Sequence, residues 1–243
     1  MSLTVHSVAE RRELADYLFR MQTSWPPFML EDPTARLMGL LPTEFPELQF
    51  VLLDGETVLG KGHAVAFGWD DELQMLPDTG WDWVLGHGVS GRLRSRPPTA
   101  VSALEIAVRP DRQGQGLSRL IIQAMQAAAR RLGLAMVAPV RPSAKATEPR
   151  TPMTEYATRI RDDGLPADPW QRVHARLGGR ILKVCPASMS IPGSLAEWRD
   201  WTGLPFDRSG EVEVPGALVP VQVSVEHDHA VYVEPNVWMH HPT

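Results

Sequence analysis

The most constraining stretch of the chain runs Leu104-Glu105-Ile106-Ala107-Val108-Arg109-Pro110-Asp111-Arg112-Gln113-Gly114-Gln115-Gly116-Leu117-Ser118. Ala103 to Arg109 reads as a strand, and Pro110 marks a turn. Gln115 to Leu132 then places Leu117, Leu120, Ile121, Ala124, Met125, Ala128 and Leu132 on one helical face until Gly133 stops it. Glycines at a helix start let backbone N–H groups approach an anion closely, and the positive end of the helix dipole adds to the attraction. A diphosphate fits such a turn. The three-glycine dinucleotide fingerprint is absent, as is the Gly-Lys-Ser/Thr of a P-loop, so neither of those nucleotide sites is implied.

A chain of 243 residues, 43% hydrophobic and 22% charged, has enough apolar material for a sizeable core and lacks the composition of disorder or membrane residence. One domain spanning 1–243 is expected. A net charge of -5 gives no bulk attraction to nucleic acid or an anionic membrane, so small molecules are the expected partners. Cys185 is the only cysteine, which excludes an intramolecular disulfide. A lone thiol fits a reducing, cytoplasmic setting. The charged run Ala9 to Asp16 stands where a secretory signal would need its apolar stretch, and no apolar run approaches spanning length.

Ser7-Val8-Ala9-Glu10 has capping-box spacing ahead of Leu14, Tyr17, Leu18 and Met21, which predicts a first helix ending before Trp25-Pro26-Pro27. The stretch on to Pro46 predicts a loop with one short helix. Gln49 to Leu53 and Val58 to Trp69 flank Asp54-Gly55 as a β-hairpin. Asp70 to Pro98, rich in Gly, Pro and Trp, predicts an irregular functional loop region. Ala135 to Val140 is a buried strand. Asp168-Pro169-Trp170-Gln171 opens a helix to Leu177, stopped at Gly178-Gly179 and followed by a strand from Arg180 to Cys185. Ser194 to Glu197 caps a further helix through Trp201, and Val219 to Val225 with Ala230 to Val233 predicts a hairpin around His227-Asp228. This mixed α/β order, with adjacent hairpins, fits neither a TIM barrel nor a strict doubly wound sheet.

The strand-turn-helix resembles the GNAT superfamily of acyl-CoA-dependent N-acyltransferases. Gln113, Gly116 and Ser118 match that family's Gln/Arg-x-x-Gly-x-Gly/Ala signature, with Ser118 replacing the last small residue. The resemblance implies a mixed, mostly antiparallel sheet flanked by helices, with splayed central strands. It also implies that Gln113, Gly114, Gln115, Gly116, Leu117 and Ser118 cradle the diphosphate of acetyl-CoA or another acyl-CoA, helped by Arg112 and Arg119. The backbone of Ile106, Ala107 and Val108 would hold the pantetheine arm. The CoA-binding core would span about 101–185, with a C-terminal extension at about 193–243, and no metal is called for.

An amine attacking a thioester must be neutral, and with a pKa near 10 only about one part in a thousand is neutral at pH 7, a cost of roughly 4 kcal/mol. A general base offsets that cost. Glu105 alternates with Leu104 and Ile106, so its side chain leaves the apolar face, at a position where the family often places an acidic base. Val173-His174-Ala175-Arg176-Leu177-Gly178-Gly179 resembles the family's Leu-Tyr-x-x-Leu-Gly-Phe segment with His174 in place of the proton-donating tyrosine, and Tyr156 is the reserve donor. Trp25, Phe28, Trp69, Trp81 and Trp83 fall in segments that surround the acceptor in this family and are the candidate amine-binding residues. His227-Asp228-His229 reads as a turn, not a metal site, and Gly88-Val89-Ser90-Gly91 fails the nucleophile-elbow spacing. The expected activity is direct acyl transfer to a small-molecule amine. A peptide amine, or acyl-CoA sensing without turnover, are the alternatives.

Overall fold

A computed structural model describes residues 2–242. Its strands are β1 (Leu3–Ser7), β2 (Gln49–Asp54), β3 (Thr57–Phe67), β4 (Ala100–Val108), β5 (Ala135–Val140), β6 (Arg180–Gly193), β7 (Gly210–Val212), β8 (Val221–Ser224) and β9 (His229–His241). They form one sheet in the order β1-β2-β3-β4-β5-β9-β8-β7, with β6 also paired to β9. Every pairing is antiparallel except that of β4 with β5. β6 occupies one edge of β9, so β5 and β8 share the other, at its C-terminal and N-terminal halves respectively. The longer helices are α1 (Gly80–Leu93), α2 (Ser118–Leu132), α3 (Pro169–Arg176) and α4 (Leu195–Thr202).

The hairpin at Asp54-Gly55 forms as its sequence predicts, with Gly55 at φ 58°. α2 ends on left-handed Gly133, α3 is capped by the Asp168 carboxylate on the N–H groups of Trp170 and Gln171, and α4 opens on the Ser194–Glu197 capping box. The final hairpin also forms, but β9 runs on to His241 and enters the sheet beside β5.

The predicted first helix forms as two short helical pieces, Arg12–Asp16 and Tyr17–Arg20, which begin later than the expected cap and follow a strand, β1, that ends at Ser7. Ser7 and Glu10 do make their reciprocal bonds, at 2.9 and 3.3 Å, but these close a turn that Val8 and Ala9 pin to Gln49 and Pro46. Strand pairing overrides the local signal there. Leu14 and Leu18 keep their i,i+4 relation and pack under Val51 and Leu53, while Phe50 and Leu52 face the main core. The stretch before Pro46 holds several short helical turns where one was expected.

The second correction concerns Asp70 to Pro98, expected to be irregular and found to contain α1. Trp81, Val84, Leu85 and Val89 of this helix are buried against the sheet. Its glycines serve close approach: a Cβ on Gly88 would lie 3.0 Å from the Ala66 carbonyl oxygen.

Candidate active site

β4 and β5 pair only over Ala100–Ser102 against Ala135–Val137, and beyond that they part into a V. A bulge in β4 helps to open it: His63 pairs with Glu105 but Ala64 with Ala103, leaving Leu104 as the extra residue. The Leu104 carbonyl accepts instead from Trp81 Nε1 at 2.9 Å. The bulge breaks simple alternation, so Leu104, Glu105 and Ile106 all line the V. A cleft of about 1230 Å³ fills it, walled by residues 103–108 on one side and 138–141 on the other.

At one end of the cleft lies the glycine turn. Gly114 and Gly116 stand at φ 75° and 72°, the left-handed region, and a Cβ on either would meet nothing within 4 Å. Backbone conformation, and not crowding, requires glycine there. Among the described residues the N–H groups of Gly114, Gln115, Gly116 and Leu117 have no protein acceptor, and no side chain caps the following helix. Unpaired amides, open room and a helix N-terminus fit the diphosphate of a CoA thioester. Arg112, Gln113, Gly114, Gly116, Leu117 and Ser118 line the cleft, as do Ile106, Ala107 and Val108, whereas the side chains of Gln115 and Arg119 lie outside it. Gln113 Nε2 binds Ser24 Oγ at 3.1 Å and so ties the turn to the loop before Trp25.

Glu105 sits where the V opens. Its Oε1 accepts from Trp25 Nε1 at 2.8 Å, and its Oε2 lies 3.1 Å from Lys61 Nζ and 3.7 Å from His63 Nε2. Across the cleft, Arg141 Nε pairs with the fully buried Glu234 at 2.9 Å, and its guanidinium lies 5.7 Å from the Trp25 ring centre. Tyr232 and Asn236 donate to the same Glu234 carboxylate.

His174 reaches the cleft from α3 and is otherwise buried. Gln126 Nε2 is a donor, so His241 Nδ1 accepts from it at 3.1 Å and carries its own proton on Nε2. That proton is donated to His174 Nδ1 at 2.8 Å, which leaves His174 with its N–H on Nε2, the atom unengaged by protein. Burial, with His241 alongside, holds His174 well below the ordinary histidine range. It is therefore neutral at pH 7 and presents a hydrogen-bond donor, not an imidazolium.

The other predicted groups divide. Tyr156 is buried away from the cleft, its hydroxyl donating to Asp168 Oδ2 at 3.0 Å, with burial and that carboxylate pushing its pKa up. Trp25 and Trp81 line the cleft. Phe28 packs in the core edge-on to Tyr232 at 5.3 Å, and Trp69 and Trp83 pack edge-to-face at 5.4 Å outside the cleft. The sequence reading did not pick out Lys61, His63, Arg141, Ser143, Glu234 and Asn236, all of which line the cleft. The available signal was Lys61 and His63 interrupting an otherwise apolar strand. Among the described residues no cluster of three or more His, Cys, Asp or Glu could hold a metal, and no helix is long and apolar enough to cross a membrane.

The splayed strands, the amide-rich turn and the cleft between them define an acyl-CoA site of the GNAT type. No family model matches the sequence. It is 32% identical over 273 aligned positions to arginine N-acetyltransferase avaD of Aspergillus versicolor, covering 98% of this chain and 93% of that protein. Among solved structures it resembles the loading GNATL domain of CurA from Lyngbya majuscula, with a TM-score of 0.62 and 18% identity over 99% of this chain and 98% of that one. The GphF GNAT-like decarboxylase in complex with isobutyryl-CoA gives 0.56 and 18% over the same shares. These two likenesses concern the fold. With its near-full-length relative, the chain belongs to the GNAT N-acetyltransferases, enzymes that move an acyl group from acyl-CoA to an amine.

Proposed function

We propose that this protein acetylates a nitrogen of a small, cationic amine, with arginine the first acceptor to try because the curated relative is named for it. The observation that carries the reading is the placement of Glu105 in the opened V, with four unpaired amides from Gly114 to Leu117 at the other end of the same cleft. Acetyl-CoA supplies an activated carbonyl carbon. The amides of the turn hold its diphosphate, and the edge of β4 from Ile106 to Val108 guides the pantetheine arm. Trp25, itself anchored to Glu105, and Trp81 offer faces to the acceptor cation. Glu105 accepts a proton from the acceptor nitrogen, and His174 Nε2–H stabilises negative charge that develops on the thioester oxygen or the departing sulfur. The charges of Lys61 and Arg141 are balanced by Glu105 and Glu234, so the pocket remains suited to a cation.

Residues 1–243 act on this reading as one catalytic unit, since β9 from the C-terminal segment borders β5. The test is turnover: purified protein with acetyl-CoA and a panel of amines headed by arginine, scored for free CoA and for acetylated product. Amine-dependent CoA release supports the reading. Release with no amine in the panel, despite saturable binding of acetyl-CoA, overturns the small-amine assignment.

A further inference from the structure

Beside Glu105, running from the cleft wall into the interior, lies a buried polar set whose proton positions follow from its geometry. Gln49, fully buried on β2, donates through Nε2 to the carbonyls of Phe45 at 3.0 Å and Ala64 at 2.8 Å. Its Oε1 must then accept from His63 Nδ1, 2.8 Å away. The proton of neutral His63 is thus fixed on Nδ1, and Nε2 carries a lone pair. That Nε2 is fully buried and has no hydrogen-bond partner among the described residues, yet it lies 3.7 Å from Glu105 Oε2. A buried polar atom left unpaired costs about 1–3 kcal/mol, and this one is satisfied as soon as a proton reaches it.

The reaction supplies such a proton. An alkylammonium acceptor loses two protons on becoming an amide, one before the nitrogen attacks and one after. One of them ends on the CoA sulfur and the other goes to solvent. A single carboxylate can hold only one at a time.

We propose that His63 is the proton-accepting partner behind Glu105, a positioning residue that acts through that carboxylate and does not touch substrate; the proposal rests on Glu105 being the base. The ammonium N–H bond breaks as Glu105 gains an O–H. That O–H then breaks as His63 Nε2 gains the proton, and the electron pair left on oxygen restores the carboxylate for the second transfer. The imidazolium so formed lies between Glu105 Oε2 and Gln49 Oε1; after Glu105 has passed the second proton to the departing CoA sulfur, His63 returns the first through the same carboxylate to solvent in the open cleft and is neutral again. The present 3.7 Å gap must shorten in the loaded enzyme, as catalytic hydrogen bonds commonly do. The other groups facing His63 are the Lys61 ammonium, the Leu18 carbonyl that accepts from Lys61 Nζ at 2.8 Å, and the Phe19 ring at 5.8 Å. Burial lowers His63 to about 4, which keeps it empty of the second proton until one is delivered.

Three measurements test this. Nitrogen-15 NMR of the intact protein at pH 6 to 8, with no acceptor required, is expected to show His63 protonated on Nδ1 alone; an Nε2–H tautomer overturns the proposal. The His63→Gln variant is expected to lose on the order of 100-fold in kcat with arginine, or whichever panel amine turns over, while its affinity for acetyl-CoA stays within twofold. Gln49→Glu places a carboxylate on Nδ1, raises the proton affinity of His63 and is expected to move the acid limb of the kcat profile up by about one pH unit. An unmoved limb overturns the relay. If Glu105→Gln is inactive while His63→Gln matches the parent, the relay alone falls. If Glu105→Gln is fully active, the assignment of the base falls first and the relay with it.

Discussion

Replacing Gly116 by Asp separates ligand binding from folding. Gly116 stands at φ 72°, and Asp is among the L-residues that tolerate the left-handed region best, so its backbone strain is expected to cost about 1 kcal/mol or less. No atom lies within 4 Å of the new Cβ, so the Cβ itself meets no clash. The carboxylate would occupy the space onto which the amides of Gly114 to Leu117 open. Two unit charges about 4 Å apart near a protein surface repel by roughly 4 kcal/mol, and salt screening brings this to about 2–3 kcal/mol. At about 1.4 kcal/mol per decade, acetyl-CoA affinity should fall roughly 30- to 150-fold. Gly133→Asp is the control, because Gly133 stands at φ 69° with equally open space at the opposite end of α2. Calorimetric titration with acetyl-CoA, alongside melting curves, reads both effects. A small loss of stability at position 116, a somewhat larger one at position 133 where the carboxylate meets the negative end of the helix dipole, and an affinity loss only at position 116 are expected; a Gly116→Asp protein that binds within threefold of the parent refutes the assignment of the diphosphate site.

Glu105→Gln keeps the bond from Trp25 but cannot accept a proton, so kcat at pH 7 should fall by about 10²- to 10⁴-fold with acetyl-CoA binding unchanged, as steady-state kinetics and calorimetry would show. A Cβ on Gly88 would meet Val65 Cγ2 at 2.5 Å and the Ala66 carbonyl at 3.0 Å, so Gly88→Ala should destabilise by about 1–3 kcal/mol in denaturant titration. Asp82 on α1 faces Asp32; burial first, and then that neighbour, raises Asp82 to about 8 from 3.8. Because the folded state binds this proton more tightly than the unfolded chain, the group lowers stability as pH rises from about 4 to 8. Asp82→Asn retains an acceptor for the Ser190 N–H and should raise the melting temperature at pH 8 more than at pH 5.

The turn and its two flanking elements could be read directly because their signals are local: a proline, glycines that must take positive φ, and an amphipathic helix closed by Gly133. Asp168 and Ser194 were legible for the same reason, since a cap acts within three residues. Failures came where distant contacts decide. Ser7 and Glu10 form the bonds of a helix cap, yet the N–H groups of Val8 and Ala9 between them donate to the Gln49 and Pro46 carbonyls, so the box closes a turn and the helical pieces start only at Arg12. α1 carries glycines that weaken its helical signal but let it sit close to the Ala66 backbone. In the site, Glu105 was visible as a carboxylate interrupting an apolar strand. His63 and Lys61 gave the same signal on β3, but only the strand register across the Leu104 bulge brings them to Glu105. Glu234 and Asn236 lie on a strand whose place beside β5 depends on the whole sheet, so nothing near them in the chain marks them. Phe28, Trp69 and Trp83 were drawn toward the acceptor by segment alone, and their packing puts them elsewhere.

The most direct test of the account is an experimental structure of the protein with acetyl-CoA bound. The account predicts that the diphosphate accepts hydrogen bonds from the amides between Gly114 and Leu117, and that the thioester lies in the V beyond Ser102 and Val137, with Glu105 and His174 facing it. Acetyl-CoA bound outside that V, or bound there with Glu105 turned away from the thioester, would contradict it.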